Sequence, residues 1–534
     1  MDSDGRAALE RWEASRPRNV YDASPFLRTG LAHYLGAAGL AQVEPRLREF
    51  GATVASVVEP AVAAIESRRR IPDVDGAQQI AFDRDYEASG RAVWASGVVS
   101  ALPLEQAALL YLLAHAGEGG HTCPVVCSTG LLRALREHGP DELRERFAPP
   151  LLETDYDRAD RGAQFLTEVQ GGSDVGANRA EAVPDGDAWL LSGEKWFCSV
   201  ADADQFAVTA RPRGASEGTR GLACFLVPRT VDGAPNGFRI RKLKDKLGTR
   251  ALATGEIEFD GALAYPIGRL EDGFRIAAGT ILNTSRWLNA VGSSALMHRA
   301  YLEAASFARH REAFGRPIAA FPLVRENLAI MKAEAQAALA STLALTRHVE
   351  MLDSGIIDVE SVAWHRILVN ANKVVTSLAA TSVCRRGIET LGGNGTIEDF
   401  SPLPRLWRDA IVFESWEGTH NVLCAQVLRD LARFDAVDLV LERVADVDTG
   451  DLGERLRRSV DDADFGSLHI RRQVETLVRA VQAATLWRLG SDAVAELHVR
   501  RHLMPGYDPE RDPDYPELLD AVLADDVRER SPIG

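Results

Sequence analysis

Two changes of hydrophobic period divide this chain and limit what it can fold into. Between about residues 28 and 150, Leu31, Tyr34 and Leu35, then Ala107, Leu110 and Ala114, recur at spacings of three and four, the period of amphipathic helices. From about residue 163 the pattern becomes one of short β-branched and aromatic runs: Trp189-Leu190-Leu191, Trp196-Phe197-Cys198, Phe206-Ala207-Val208, Leu222–Val227, Phe238-Arg239-Ile240 and Ile257-Glu258-Phe259. Asp-Gly, Ser-Gly and Pro-Asn-Gly turn signals separate them. After Gly273 the helical period returns. Leu328, Met331, Ala335, Ala338, Thr342, Leu345 and Val349 form one unbroken stripe, and Val362–Leu391 repeats it.

The chain is therefore read as mostly α with a central β domain. A helical domain spans residues 1–160, and an antiparallel barrel or sandwich of five to seven short strands spans 161–268. A helical bundle follows at 269–436 and further helices at 437–534, with a tail from Pro505 that is irregular in part. Pro103, Pro124 and Pro149-Pro150 are expected to start or break helices. The glycine-rich loop Gly117–Pro124 lacks the Lys-Ser/Thr ending of a phosphate loop and reads as a turn. A cleft between β module and helices is the expected ligand site.

Composition narrows the function classes. A net charge of −16 over 534 residues argues against a broad nucleic-acid-binding face. The local arginine clusters around residues 455–458, 471–472 and 500–501 read as solvated helix faces. Six scattered cysteines without a CxxC pair fit a reducing compartment and no structural zinc. The start, Met1–Gly5, lacks a basic-then-apolar leader pattern, and the most apolar run, Ala107–Ala116, is too short to cross a bilayer. A cytoplasmic protein with no membrane contact and no metal is expected.

The chemistry concentrates near the end of the bundle. Leu391-Gly392-Gly393-Asn394-Gly395 is a glycine turn, and Trp416-Glu417-Gly418-Thr419-His420-Asn421 sets a lone carboxylate between tryptophan and glycine. An apolar wall lifts a carboxylate pKa toward that of a working base, and glycine lets a flat ligand approach. The same residues also read as an acidic helix start. Gln164–Val175 offers a Thr hydroxyl and open amides at Gly171, Gly172 and Ser173, or a turn capped by Ser173 and Asp174. Lys195–Ser199 places an aromatic and a hydroxyl on a strand, which ordinary core packing also explains.

Taken together, these segments resemble the acyl-CoA dehydrogenase family from about residue 85 to about 430. Thr167-Glu168 with Gly172-Ser173-Asp174, Gly193-Glu194-Lys195-Trp196-Phe197, Arg311-Glu312-Ala313-Phe314-Gly315, Leu391–Gly395, Arg408-Asp409 and Glu417-Gly418-Thr419 occur in the family's order. The runs Thr167–Asp174, Lys195–Ser199, Leu243–Gly248 and Trp416–Gly418, with the helices beyond residue 435, are similar to its AidB-like branch, named for a bacterial alkylation-response protein.

The resemblance implies FAD as cofactor and an acyl-CoA or related thioester as substrate. Leu166, Thr167, Ser173, Phe197 and Ser199 would contact the flavin or the acyl carbonyl region. Arg311 and Phe314 would clamp the dinucleotide across a subunit interface, with Gly392 and Gly393 beneath the pyrophosphate. Glu417 would remove the α-proton while the β-hydride passes to the flavin. Thr419, Asn421 and Arg286 would hold flavin or substrate. The resemblance also implies a homo-oligomer, dimer or tetramer, and an electron-accepting partner. Some family members carry the base just before the arginine matching Arg286; here that position is Ser285. Pro322 replaces a glutamine common in the family, and the C-terminal helices could narrow the CoA channel. A nucleic-acid-binding flavoprotein and a flavin oxidase or monooxygenase are the alternatives on this scaffold.

Overall fold

The computed structural model describes residues 5–68, 72–76 and 78–528; the acidic start Met1–Asp4, on which the leader reading rests, lies outside the described residues. The N-terminal module is helical. Its Pro103–Ala114 helix begins on Pro103, whose fixed φ suits a first turn, and every one of its residues except Glu105 is buried. Pro124 stands in the first turn of Thr122–His138, while Pro149 and Pro150 fall in the last turn of Asp141–Leu151 and end it. The Gly117–His121 stretch is a turn, with Gly117, Gly119 and Gly120 at positive φ.

The central module has seven strands: β1 (Gly162–Phe165), β2 (Glu181–Asp185), β3 (Ala188–Ser199), β4 (Gln205–Pro212), β5 (Ala223–Pro228), β6 (Phe238–Leu243) and β7 (Thr254–Pro266). They pair in the order β6–β7–β3–β2–β4–β1, and β5 joins β7 to β4, closing a ring. Two expectations change. The runs at Trp189 and Trp196 are one strand, because Ser192-Gly193 is no turn. Gly193, at φ 138°, lets the strand continue where a Cβ would meet Ala180 Cα at 2.7 Å. Nor is the sheet wholly antiparallel: β4 runs parallel to β1 and β2. The β2–β3 hairpin between them supplies a connection long enough for a parallel return.

The wall shared with the helices follows from period two. On β4, Phe206 and Val208 enter the barrel core while Ala207 enters the helical core; on β5, Phe225 and Val227 face the barrel and Cys224 and Leu226 the helices.

The bundle comprises Leu282–His310, Pro322–Asp353, Val359–Leu391 and His420–Phe434, with Leu403–Ser415 packed beside them. Pro322 occupies the first turn of its helix. Pro322–Asp353 and Val359–Thr396 are long and apolar enough to cross a membrane by length and composition, but 83% of each apolar window is buried in the bundle. Asp409 ties the modules together: Oδ2 accepts the Glu118 N–H (3.0 Å) from the N-terminal module and Oδ1 the Thr249 N–H (2.7 Å) from the barrel.

Beyond residue 436 the chain folds back on the bundle through Ala463–Arg488 and Asp492–His502. The tail is more ordered than its Asp-Pro turns suggest, with a helix at Tyr515–Arg528. Arg457, Arg458, Arg471 and Arg472 lie on exposed faces, as expected, while Arg455 pairs with Asp451 (2.8 Å) and the more covered Arg500 with Glu496 (2.6 Å) and Asp512.

Glu334 joins the extension to the bundle, meeting Arg479 Nη1 at 2.7 Å and His502 Nε2 at 2.6 Å, with buried His498 alongside. Burial alone would raise the Glu334 pKa, but the Arg479 and His502 charges hold it well below the carboxylate range; burial pushes His498 far below the usual histidine value. Both groups are less protonated folded than unfolded, so stability falls as pH falls, through His498 below about 6.5 and Glu334 below about 4.3. We expect hydrogen-exchange protection in Asp492–His502, corrected for the intrinsic slowing of exchange in acid, to fall between pH 7 and 5, and His498→Leu to flatten that dependence. A pH-independent exchange ratio would contradict it.

Candidate active site

Glu417 lies where barrel and bundle meet. Trp416 packs against both cores and stacks on Phe413 (centroids 4.9 Å apart, 26° between planes). The Leu403–Ser415 helix ends there, and the next begins at His420 with Thr419 as N-cap. Between them Glu417 takes φ 58° and Gly418 φ 109°. A left-handed glutamate costs roughly 1–3 kcal/mol unless its surroundings impose it, and such strain collects at functional sites. Two buried cations hold the turn. Arg286 Nε donates to the Glu417 carbonyl (2.9 Å), and Lys373 Nζ donates to the carbonyls of Glu414 (2.7 Å) and Gly418 (3.1 Å).

The carboxylate points inward, not along the helix start. Its Oε1 accepts Gln164 Nε2 at 2.8 Å. Burial raises its pKa above the ordinary range, while Arg286, Lys373 and Gln164 pull in the opposite direction. Burial brings Lys373 down to about 7. The acidic-helix-start reading fails on this geometry, since the side chain bonds across to the barrel.

The predicted residues fall into two groups. Leu166, Thr167, Ser173, Phe197 and Ser199 lie on the barrel side, reached through Gln164. Thr167 O accepts the Trp196 N–H (2.9 Å), joining the two flavin-type segments, and Ser199 Oγ is 3.3 Å from Thr254 Oγ1. Phe197 is 56% exposed, with Val169 and Leu247 also bare, and Lys244 Nζ sits 3.4 Å from the Trp196 ring centroid. The second group lines an open cavity of about 620 Å³: Arg311, Gly392 and Gly393, with Thr390, Asn394 and Glu389. Nearby, Phe314-Gly315 is the two-residue turn of the Glu312–Ala313/Arg316–Pro317 hairpin, both residues at positive φ, and Phe314 is 96% exposed. Lys373 and Gly392 share one helix and its end, so this cavity lies roughly 28 Å from the chain's own Glu417 turn.

Three predicted contacts are placed otherwise. Arg286 is buried and spent on Glu417 O, Asn283, Asn370 and Gln426, so it supports the turn. Asn421 Oδ1 accepts Arg471 Nη2 from the extension (2.6 Å), and exposed Thr419 makes no side-chain cap bond. The sequence reading gave no role to three residues: Gln164 and Ser285, which join barrel to bundle, and Lys373. A lone lysine inside the helical stripe Val362–Leu391, followed by Val374-Val375, was a visible signal; the other two needed tertiary contacts.

The family model for the acyl-CoA dehydrogenase middle domain matches residues 163–262, and that for the acyl-CoA dehydrogenase C-terminal domain matches residues 271–432. AidB of Escherichia coli (strain K12) is 35% identical over 343 residues, covering 62% of this chain and 61% of AidB, so this chain spans about three fifths of that relative. The acyl-CoA dehydrogenase of Bacillus subtilis (strain 168) is 31% identical over 287 residues, 53% of this chain and 70% of that one. Among solved structures, Caenorhabditis elegans ACDH-11 in complex with C11-CoA aligns with TM-score 0.80 and 26% identity over 96% of this chain and 95% of that one. Helical module, barrel and bundle in this order, with both family models in register, show that the chain belongs to the acyl-CoA dehydrogenase family and resembles its AidB-like branch.

Proposed function

We propose that the protein is an FAD-dependent acyl-CoA dehydrogenase that works as a homo-oligomer. The observation that carries this reading is Glu417, an inward-facing carboxylate in a left-handed turn at the barrel–bundle junction. The chain's residues fit the cofactor. The bare aromatic face around Phe197 suits a flat ring, and Arg311 beside the open glycines Gly392 and Gly393, where an added Cβ would meet nothing within 4 Å, suits a pyrophosphate. Because that cavity lies far from the chain's own base, the dinucleotide part of a cofactor is assigned to a neighbouring copy, with Phe314 inserted across the interface.

FAD, when bound, supplies the acceptor for the hydride leaving the substrate β-carbon. Glu417 takes the α-proton, and the two losses leave a Cα=Cβ double bond. Arg286 holds the backbone of the base and Lys373 that of its neighbours Glu414 and Gly418, and their charges oppose the rise that burial gives the Glu417 pKa. An acyl-CoA substrate is supported by the C11-CoA complex of ACDH-11. The reduced enzyme then needs an electron-accepting partner.

The test is anaerobic titration of the yellow protein with straight-chain, branched and aromatic acyl-CoAs. Bleaching by at least one thioester is expected; failure across the series would sink the reading. Oxygen consumption without added acceptor would instead favour an oxidase. For the cofactor cradle, Arg311→Gln should weaken FAD retention about tenfold to hundredfold by loss of one charge-assisted contact, read by release of flavin fluorescence on dilution. Unchanged retention would remove Arg311 from the cofactor site.

A further inference from the structure

Gln164 and Ser285 stand between the barrel and the base, and nothing in the proposed chemistry has used them. Gln164 lies on β1, only 8% exposed, and its side chain crosses to the bundle. Nε2 donates one hydrogen bond to Glu417 Oε1 (2.8 Å) and another to Ser285 Oγ (3.0 Å), so both amide hydrogens are spent. Ser285 Oγ also approaches Gln164 Oε1 at 3.3 Å, and Ser285 is fully buried. Close behind, a Cβ at Gly130 would meet Gln164 Oε1 and Ile281 Cγ2, both at 3.4 Å, so the helix beneath leaves the amide little spare room.

We propose that Gln164, tethered by Ser285, is the positioning residue for Glu417: it holds the carboxylate ionised and aimed before substrate arrives, and follows its protonation afterwards. The inference deepens the dehydrogenase reading and rests on Glu417 being the base.

Among the described residues, the hydrogen bond to the Glu417 carboxylate comes from Gln164; the cations nearby act on it through backbone or through space. A neutral donor to a carboxylate favours the ionised form, and charge-assisted bonds of this kind are about twice as strong as neutral ones. One oxygen is thereby occupied and the other is left to meet the substrate's α-hydrogen. Once Glu417 carries the proton, the amide N–H faces a neutral acid. A half-turn of the amide then offers Oε1 to the new O–H. Ser285 serves either orientation, because its hydroxyl touches both ends of the amide and can accept from N–H or donate to the carbonyl.

Every charged or titratable group facing the base belongs in the comparison. Arg286 comes from Leu282–His310 and Lys373 from Val359–Leu391. Cys123, whose thiol is pushed up well above its usual value, comes from Thr122–His138, and Glu414 and His420 flank the turn itself. None of these groups changes in the variants below.

The experiment compares Gln164→Met, Gln164→Glu, Ser285→Ala and the parent. The first readout is the infrared carboxylic C=O band of Glu417 in cofactor-free protein, titrated with pH and assigned by its loss in Glu417→Gln. The second is the acid limb of the kcat/KM profile of the holoenzyme. Gln164→Met should move both titrations alkaline by about one pH unit, a tenfold change in the ionised fraction on the acid side. Gln164→Glu, with a second carboxylate at the same place, should move them further, and Ser285→Ala in the same direction by less. A residue with only a structural role would alter thermal stability and leave both midpoints in place. Unmoved midpoints in folded Gln164→Met and Gln164→Glu overturn the proposal. If Glu417→Gln turns over normally, the assignment of Glu417 as the base falls instead; the infrared arm still reports whether the glutamine governs this carboxyl.

Discussion

Glu417→Gln is expected to lower turnover about 10²–10⁴-fold, the range for loss of a positioned general base, while the protein stays folded and yellow. The amide is isosteric and keeps an oxygen for the Gln164 N–H, so the turn is preserved. Arg286 and Lys373 still bond the backbone carbonyls of Glu417, Gly418 and Glu414, which do not change. What disappears is the acceptor for the α-proton. The fall should appear in kcat and kcat/KM alike, since the interaction removed matters only in the transition state. Stopped-flow bleaching with a reactive acyl-CoA measures it. Parent-like bleaching would move the base elsewhere, and Ser285 offers no carboxylate to take its place.

The second large effect is on stability. Lys195, fully buried on β3, donates to Glu168 Oε1 at 2.7 Å. Glu168 also accepts the Ala180 N–H (3.1 Å), the Arg179 N–H (2.6 Å) and Gln170 Nε2 (2.7 Å). Burial would raise the Glu168 pKa, but Lys195 and these amides bring it below the usual value. Removing one partner leaves a buried, uncompensated charge, worth about 3–5 kcal/mol. Lys195→Met is therefore expected to lower the barrel's denaturant midpoint strongly and to loosen the Glu168–Asn178 loop. Glu168→Gln leaves fully buried Lys195 without its counter-charge and turns an amide NH2 toward the Arg179 N–H, so it should lower the midpoint as well. A midpoint within error of the parent for Lys195→Met would refute the pillar role. Both residues belong to segments that resemble flavin contacts, yet their side chains hold the loop from behind.

The architecture was legible because hydrophobic period is a local property. The Leu328–Val349 stripe appears as the buried face of Pro322–Asp353, and the apolar runs between residues 189 and 259 lie on strands. Pairing direction was not legible, because β4 meets β1 across some forty residues of intervening chain. The Ser192-Gly193 turn signal misled for a local reason: glycine there answers the close approach of Ala180, not a reversal.

For the site, ordered motifs located the base and the cradle. The partners of Glu417 were invisible, since Gln164, Ser285 and Lys373 lie 253, 132 and 44 residues away, from 417 − 164, 417 − 285 and 417 − 373. Only folding brings Gln164 within hydrogen-bond reach of Glu417, Ser285 within reach of Gln164, and Lys373 within reach of the Glu414 and Gly418 carbonyls.

Asp409 carries one further consequence. Its two oxygens, anchored in a bundle helix, terminate amides from both other modules, so no module can swing without exposing an unmet buried N–H. Domain closure is thus a poor gate for this protein, and substrate entry falls to side chains and loops at the rim. By the same reasoning, a chimera that exchanges the barrel alone with a relative must reproduce the Thr249 backbone position, or the seam between modules will part before the reaction centre is reached.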